Sequence, residues 1–218
     1  MRKRLFIIAV LLLSILLMYP AILFAQDLKP IKLLDPQLDG GRPLMQVLND
    51  RKSSREYSSE KLPLQILSNL LWAAWGVNRT DSGLRTAPSA SNMQEIDVYV
   101  ATADGLYLYN AQKNILEPVL GEDIRVATGK QDFVKDAAVN LVFVADYSKM
   151  GKRSEENKRY MSGADTGFIS QNVYLYCASE GLATVVRGMV DGPALEKIMK
   201  LRPDQKVVFA QSVGYSPK

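Results

Sequence analysis

Arg51-Lys52-Ser53-Ser54-Arg55 places two guanidinium groups four residues apart with a hydroxyl midway. Guanidinium forks pair bidentately with phosphate, and a hydroxyl beside them adds a neutral donor. On one helical turn Arg51 and Arg55 point the same way. Alone, such a run reads as a solvated surface face. Three later stretches give it a chemical context. Arg85-Thr86-Ala87-Pro88-Ser89-Ala90-Ser91-Asn92-Met93-Gln94 offers small residues that let a planar ligand lie close, and amides that both donate and accept. By itself this is ordinary turn composition. Asp165-Thr166-Gly167-Phe168-Ile169-Ser170-Gln171-Asn172 sets an amide pair beside an apolar stripe in which Phe168, Ile169 and Tyr176 read as core. Gly167 in that helix costs about 1 kcal/mol against Ala, which close packing on another backbone would explain. Glu180-Gly181-Leu182 marks the end of the helix, where glycine allows positive φ and leaves an exposed backbone N–H. A plain helix cap is the other reading of Gly181.

Composition removes several alternatives. The chain has 218 residues, one cysteine (Cys177) and no histidine. An internal disulfide, a zinc site of Cys and His, and a Ser-His-Asp triad are therefore excluded. Lys and Arg number 27 against 23 Asp and Glu. Setting aside Arg2, Lys3 and Arg4 leaves 24 against 23, a balance that gives no support to a nucleic-acid partner.

The basic start Met1–Arg4 precedes an apolar run, Leu5–Phe24. This is the plan of a signal peptide over residues 1–25, cut after Ala25, although Leu23 fits the small-residue rule for cleavage poorly. An uncleaved membrane anchor is the alternative, since the run is about long enough to span a bilayer. Either way the expected location is exported: periplasmic, or anchored to the outer face of the cytoplasmic membrane.

The elements that must position these residues follow from spacing. Residues 26–42, with Pro30, Pro36 and Gly40-Gly41, read as an extended arm, and residues 43–218 as one domain. Pro43 opens a helix running into the Arg51 stretch, and Pro63 opens another that Gly76 ends. Asn78–Asn92 reads as a polar loop. Ile96–Thr102, Gly105–Asn110 and Ile115–Leu120 read as strands, with Asp104-Gly105 the hairpin signal. Asp123–Ala138 reads as broken helix and Val139–Tyr147 as a buried strand. Lys152–Arg159 starts a helix, Asp165–Glu180 is a long one, and Ala183–Val190, Pro193–Lys200 and Lys206–Gly214 read as strand, helix, strand. The mixture defines an α+β class.

The four motifs in this order resemble the nitroreductase superfamily of FMN enzymes, from about Leu44 to Tyr215. They are R-x-S-x-R at Arg51–Arg55, P-S-x-x-N-x-Q at Pro88–Gln94, D-x-G-x-x-x-Q-N at Asp165–Asn172, and E-G-L at Glu180–Leu182. Leu71–Gly76 and Gly105–Tyr109 look more like the branch that contains thiazoline/oxazoline dehydrogenases. The resemblance implies a mostly antiparallel sheet flanked by helices, in a homodimer whose cofactor groove lies between subunits. The long helix would be the interface element.

It also implies roles. Arg51, Lys52, Ser53 and Arg55 would bind the phosphate end of FMN, with Arg55 near the phosphate or the N1–C2=O edge. Pro88, Ser89, Ala90, Asn92 and Gln94 would line the isoalloxazine. The catalytic pair would be Gly181, its N–H approaching N5, and Glu180, with Leu182 alongside. Hydride would pass through N5 from a reduced donor, NAD(P)H or another, to a small organic acceptor. No metal is implied. Two departures stand out. Glu95-Ile96 replaces the family's usual Pro-Trp, which alters the wall beside the substrate, and only Lys218 remains as a tail cation for the phosphate. An exported binder that holds flavin or another ligand without turnover is the alternative function.

Overall fold

The computed structural model describes residues 28–217. The export segment expected over residues 1–25, and Lys218, lie outside them. The centre is a seven-stranded sheet in the order β1-β6-β5-β4-β7-β9-β8, every pairing antiparallel. Its strands are β1 (Ile31–Lys32), β4 (Ile96–Thr102), β5 (Gly105–Asn110), β6 (Ile115–Leu120), β7 (Val139–Asp146), β8 (Leu182–Arg187) and β9 (Gln205–Tyr215). A separate hairpin pairs β2 (Val77–Arg79) with β3 (Leu84–Arg85).

β7 is buried along its whole length, as a run of Val, Leu, Phe and Ala without alternation requires. Its odd positions Val139, Leu141, Phe143 and Ala145 join Ile96, Val98 and Val100 of β4 under the helices α2 (Leu64–Trp75) and α3 (Glu155–Glu180). Its even positions Val142 and Val144 join Tyr99 and Ala101 over Ile124, Leu195 and Met199, beneath α4 (Gly192–Ile198). Each fully buried Leu, Ile or Phe of this kind contributes about 1.5–3 kcal/mol, so both faces of the central strands are secured.

α3 is the longest element, 26 residues, and departs from expectation at its start. Ser154 caps it by accepting from the Asn157 N–H, and Glu155 and Glu156 fill the positive first turn. The helix then runs unbroken through Gly163 and Gly167 instead of starting at Asp165. A Cβ at either glycine would meet nothing within 4 Å, so no close packing within the chain explains Gly167. Ile169, Val173 and Cys177 face inward as expected, whereas Phe168 is 49 % exposed and is not core. It sits on the face that α2 and the sheet leave uncovered. Burial also pushes the Cys177 thiol well above its ordinary value.

Three further readings change. α1 (Leu44–Asp50) stops before the basic stretch, with Arg51 already extended at φ −56°, ψ 120°. The broken helix over Asp123–Ala138 is two 3-10 turns, Arg125–Thr128 and Asp132–Lys135. Between them Gly129 lies against the Arg187 guanidinium, where no Cβ would fit. Arg187 is buried and bonds to Thr128 O (2.7 Å) and Asn140 Oδ1 (3.0 Å), and its burial lowers its pKa to about 10. Finally, the polar loop Asn78–Asn92 contains the β2–β3 hairpin and a 3-10 turn at Ala90–Asn92.

Candidate cofactor site

Arg51–Arg55 is an extended strap between α1 and the rest of the chain. Alternate residues of an extended chain point to opposite sides, and that sorting is visible. Arg51 lies over the Tyr174 ring of α3, 5.2 Å from its centroid, and Ser53 Oγ meets the Tyr174 hydroxyl at 2.8 Å. Lys52 and Ser54 turn instead to a cavity of about 360 Å³ that they share with Gly181, Leu182 and Ser216. The strap is fixed by the Ser54 N–H, which donates to Thr184 O of β8 at 2.9 Å, and by the Tyr57 hydroxyl, which donates to Ser54 O at 2.9 Å. Arg51, Lys52 and Arg55 take part in no ion pair among the described residues. Three cations outside any ion pair among the described residues are a set suited to a phosphate; the one carboxylate at the cavity, Asp50, is already paired with Arg42.

Gly181 adopts the left-handed conformation, φ 71°, that lets α3 end and β8 begin. The exposed N–H expected there is not free, because it donates to Cys177 O as the helix cap. Geometry joins Gly181 and Leu182 to Lys52; Glu180 is exposed beside them.

The Pro88–Gln94 loop is elsewhere. The Ala90 N–H donates to Asp165 Oδ2 at 2.8 Å, which ties the loop to the middle of α3. Asp165 and Gly181 are sixteen residues apart on that helix, about 24 Å at 1.5 Å per residue. One protomer therefore does not bring Ser89, Ala90 and Asn92 to the cavity at Gly181. Within the loop, the Gln94 N–H donates to Ser89 Oγ (3.0 Å), and the Gln94 amide donates to Gly83 O and Asn92 Oδ1 at 3.1 Å each. Gln94 Oε1 accepts from Arg85 Nε (2.8 Å), whose guanidinium covers Trp75 at 4.7 Å. Gln94 is thus the keystone of the loop, while Pro88 and Asn92 face solvent.

Glu95 lies behind the loop. It has no exposed surface, and neither carboxyl oxygen accepts from a donor among the described residues. It is part of the wall's interior and not its face. Tyr174 escaped the sequence reading: it binds Arg51 and Ser53, and its hydroxyl also accepts the Val186 N–H at 3.0 Å. The only trace in sequence is its place one turn beyond Ser170 on the motif helix.

An antiparallel sheet under one long helix, a cationic strap at that helix's end and a Pro-Ser-Ala-Ser-Asn loop at its middle define a nitroreductase-type chain. The family model described as the nitroreductase family matches residues 48–215, and the chain belongs to that family. A Methanocaldococcus jannaschii protein that carries a nitroreductase name is 32% identical over 187 residues, covering 81% of this chain and 88% of that protein. A nitroreductase structure from Ralstonia eutropha JMP134 superposes with a TM-score of 0.84 at 42% identity, over 91% of this chain and 94% of that one. The NADPH:FMN oxidoreductase of Vibrio harveyi, complexed with NAD+, shares the fold at a TM-score of 0.60 and 18% identity, over 80% of this chain and 69% of that one.

Proposed function

We propose that this chain is an FMN-dependent oxidoreductase, working as a homodimer on small organic acceptors. The observation that carries the reading is the strap: Arg51, Lys52 and Arg55 enter no ion pair among the described residues, and Lys52 faces the Gly181 cavity. Phosphate is the ligand such donors bind best. FMN, when bound, supplies two-electron chemistry through N5. The protein's part is to hold, orient and shield. Arg51, Lys52 and Arg55 neutralise the phosphate end, with Lys218 as a further cation. Gly181 meets the ring through an amide shared with Cys177 O, with Glu180 beside it. Ser89, Ala90 and Asn92 contribute from the second protomer, as the distance of about 24 Å along α3 requires. Exposed Tyr160 and Phe168 on α3, with Leu44 and Met45 on α1, are the apolar surface such a partner would cover.

NAD(P)H is the donor suggested by the Vibrio harveyi relative's name. Export, which the residues before Ala25 suggest, favours a different donor or a dehydrogenase that draws electrons from its own substrate. The test is a visible spectrum of the purified protein, then anaerobic reduction with NADH, NADPH and dithionite. Flavin bands that bleach and recover with an acceptor are expected. A colourless protein that cannot be reconstituted with FMN overturns the cofactor. A yellow protein that no donor and acceptor pair can cycle overturns the enzyme.

A further inference from the structure

Glu95 and Asp165 are two carboxyl groups inside the molecule that meet side chain to side chain, where Asp165 ties down the loop preceding Glu95. Glu95 is fully buried and Asp165 is 2 % exposed. Glu95 lies between the loop and the first residue of β4; Asp165 sits on α3 and accepts the Ala90 N–H that anchors the loop. Two ionised carboxylates are both acceptors and repel, so they can join only if one keeps its proton. Asp165 is already engaged as an acceptor, which leaves the proton to Glu95. The other polar neighbour, Ser162, turns its hydroxyl to Met150 Sδ at 3.5 Å. Among the described residues no cation relieves the pair. Lys149 is bound to Asp97, Arg202 to Asp146 and Arg85 to Gln94.

We propose that Glu95 is a positioning residue: in its protonated form it donates to Asp165, and this shared proton holds the Pro88–Gln94 loop in place. The assignment of the loop to the flavin ring rests on the function proposed above; the proton pair itself does not. Burial foremost, with the nearby Asp165 adding to it, pushes Glu95 from 4.5 up to about 7. The folded chain thus binds this proton more tightly than the unfolded chain does. The stabilisation is complete below pH 4.5 and is lost as pH rises through 7. Asp50, Asp123 and Asp146 shift the opposite way, below 3.8, so their titrations fall outside that window.

The test is hydrogen exchange on the full chain between pH 5.5 and 8, comparing residues 88–94 with β7 as an internal reference. The wild type should lose protection of the loop by a factor on the order of tenfold. Glu95→Gln, which stays neutral and keeps a donor, should hold the loop closed at all these pH values. Asp165→Asn should lower loop protection and abolish its slope. A wild-type loop with no slope, or a slope unchanged in either variant, overturns the proposal. Flavin retention is read on the same samples. Weak flavin binding with the slope intact supports the proton pair and counts against the cofactor reading alone.

Discussion

The Arg51–Arg55 strap leaves its charges open, whereas the Pro88–Gln94 loop closes its polar groups on one another. The strap is held by its backbone, through Ser54 N–H and Ser54 O, and by Tyr174, while its cations form no ion pair among the described residues. The loop spends Ser89, Asn92 and Gln94 on internal bonds and carries positive φ at Ser91 (52°), Asn92 (52°) and Gln94 (48°). Each such backbone costs on the order of 1 kcal/mol and persists only where its surroundings over-determine it. The difference separates two ways to build a binding surface. The strap supplies charge and gains order from what it binds. The loop supplies shape, its strain being borne by the fold in advance.

The contrast predicts that damage to the strap is felt in binding and damage to the loop in stability. The largest effect is expected for Arg51→Ala combined with Ser53→Ala. Each lost charge-assisted bond costs about 1.5–3 kcal/mol of ligand affinity, so FMN retention in a gel-filtration or dialysis assay should fall at least about tenfold, with a smaller loss of stability of about 1 kcal/mol from the contacts with Tyr174. Equal loss in both readouts would erase the distinction. Gln94→Ala should do the reverse, lowering unfolding free energy by about 1–3 kcal/mol because Arg85 Nε, Gly83 O and Asn92 Oδ1 lose their partner. Tyr174→Phe tests the border between the two. It strips a hydroxyl from Ser53 and the Val186 N–H, and should cost about 1 kcal/mol of stability together with a smaller loss of ligand. Gly181→Ala should cost about 1 kcal/mol through its left-handed backbone alone, read as a lower melting temperature. The smallest effect, within about 0.5 kcal/mol, is expected for Lys61→Ala, whose exposed pair with Asp104 serves as a surface control.

Much of the fold is legible because its signals are local. Pro63 and Gly76 bracket α2, Asp104-Gly105 turns β4 into β5, and the continuous apolar run of β7 marks a strand covered on both faces. The misses are tertiary. Nothing near Arg51 announces that α1 stops one residue earlier. A single helix through Gly163 and Gly167 defeats the usual weight given to glycine, because its cap at Ser154 and the burial of Ser162, Asp165 and Ile169 outweigh about 1 kcal/mol per glycine. In the site, residue types were readable and commitments were not. The Gly181 amide is consumed by Cys177 O, and Gln94 by Arg85, through bonds that only the folded chain reveals. Glu95 could be noticed as a departure from the family pattern, but its partner lies seventy positions away on α3.

Cys177 is the chain's sole thiol and is sealed between α3 and the sheet. A water-soluble disulfide reagent therefore has nothing to react with until the end of α3 opens, so the rate of colour development under native conditions becomes a direct clock for that opening. By the same token, a cysteine introduced at an exposed position can carry a spectroscopic label without the native one first being replaced.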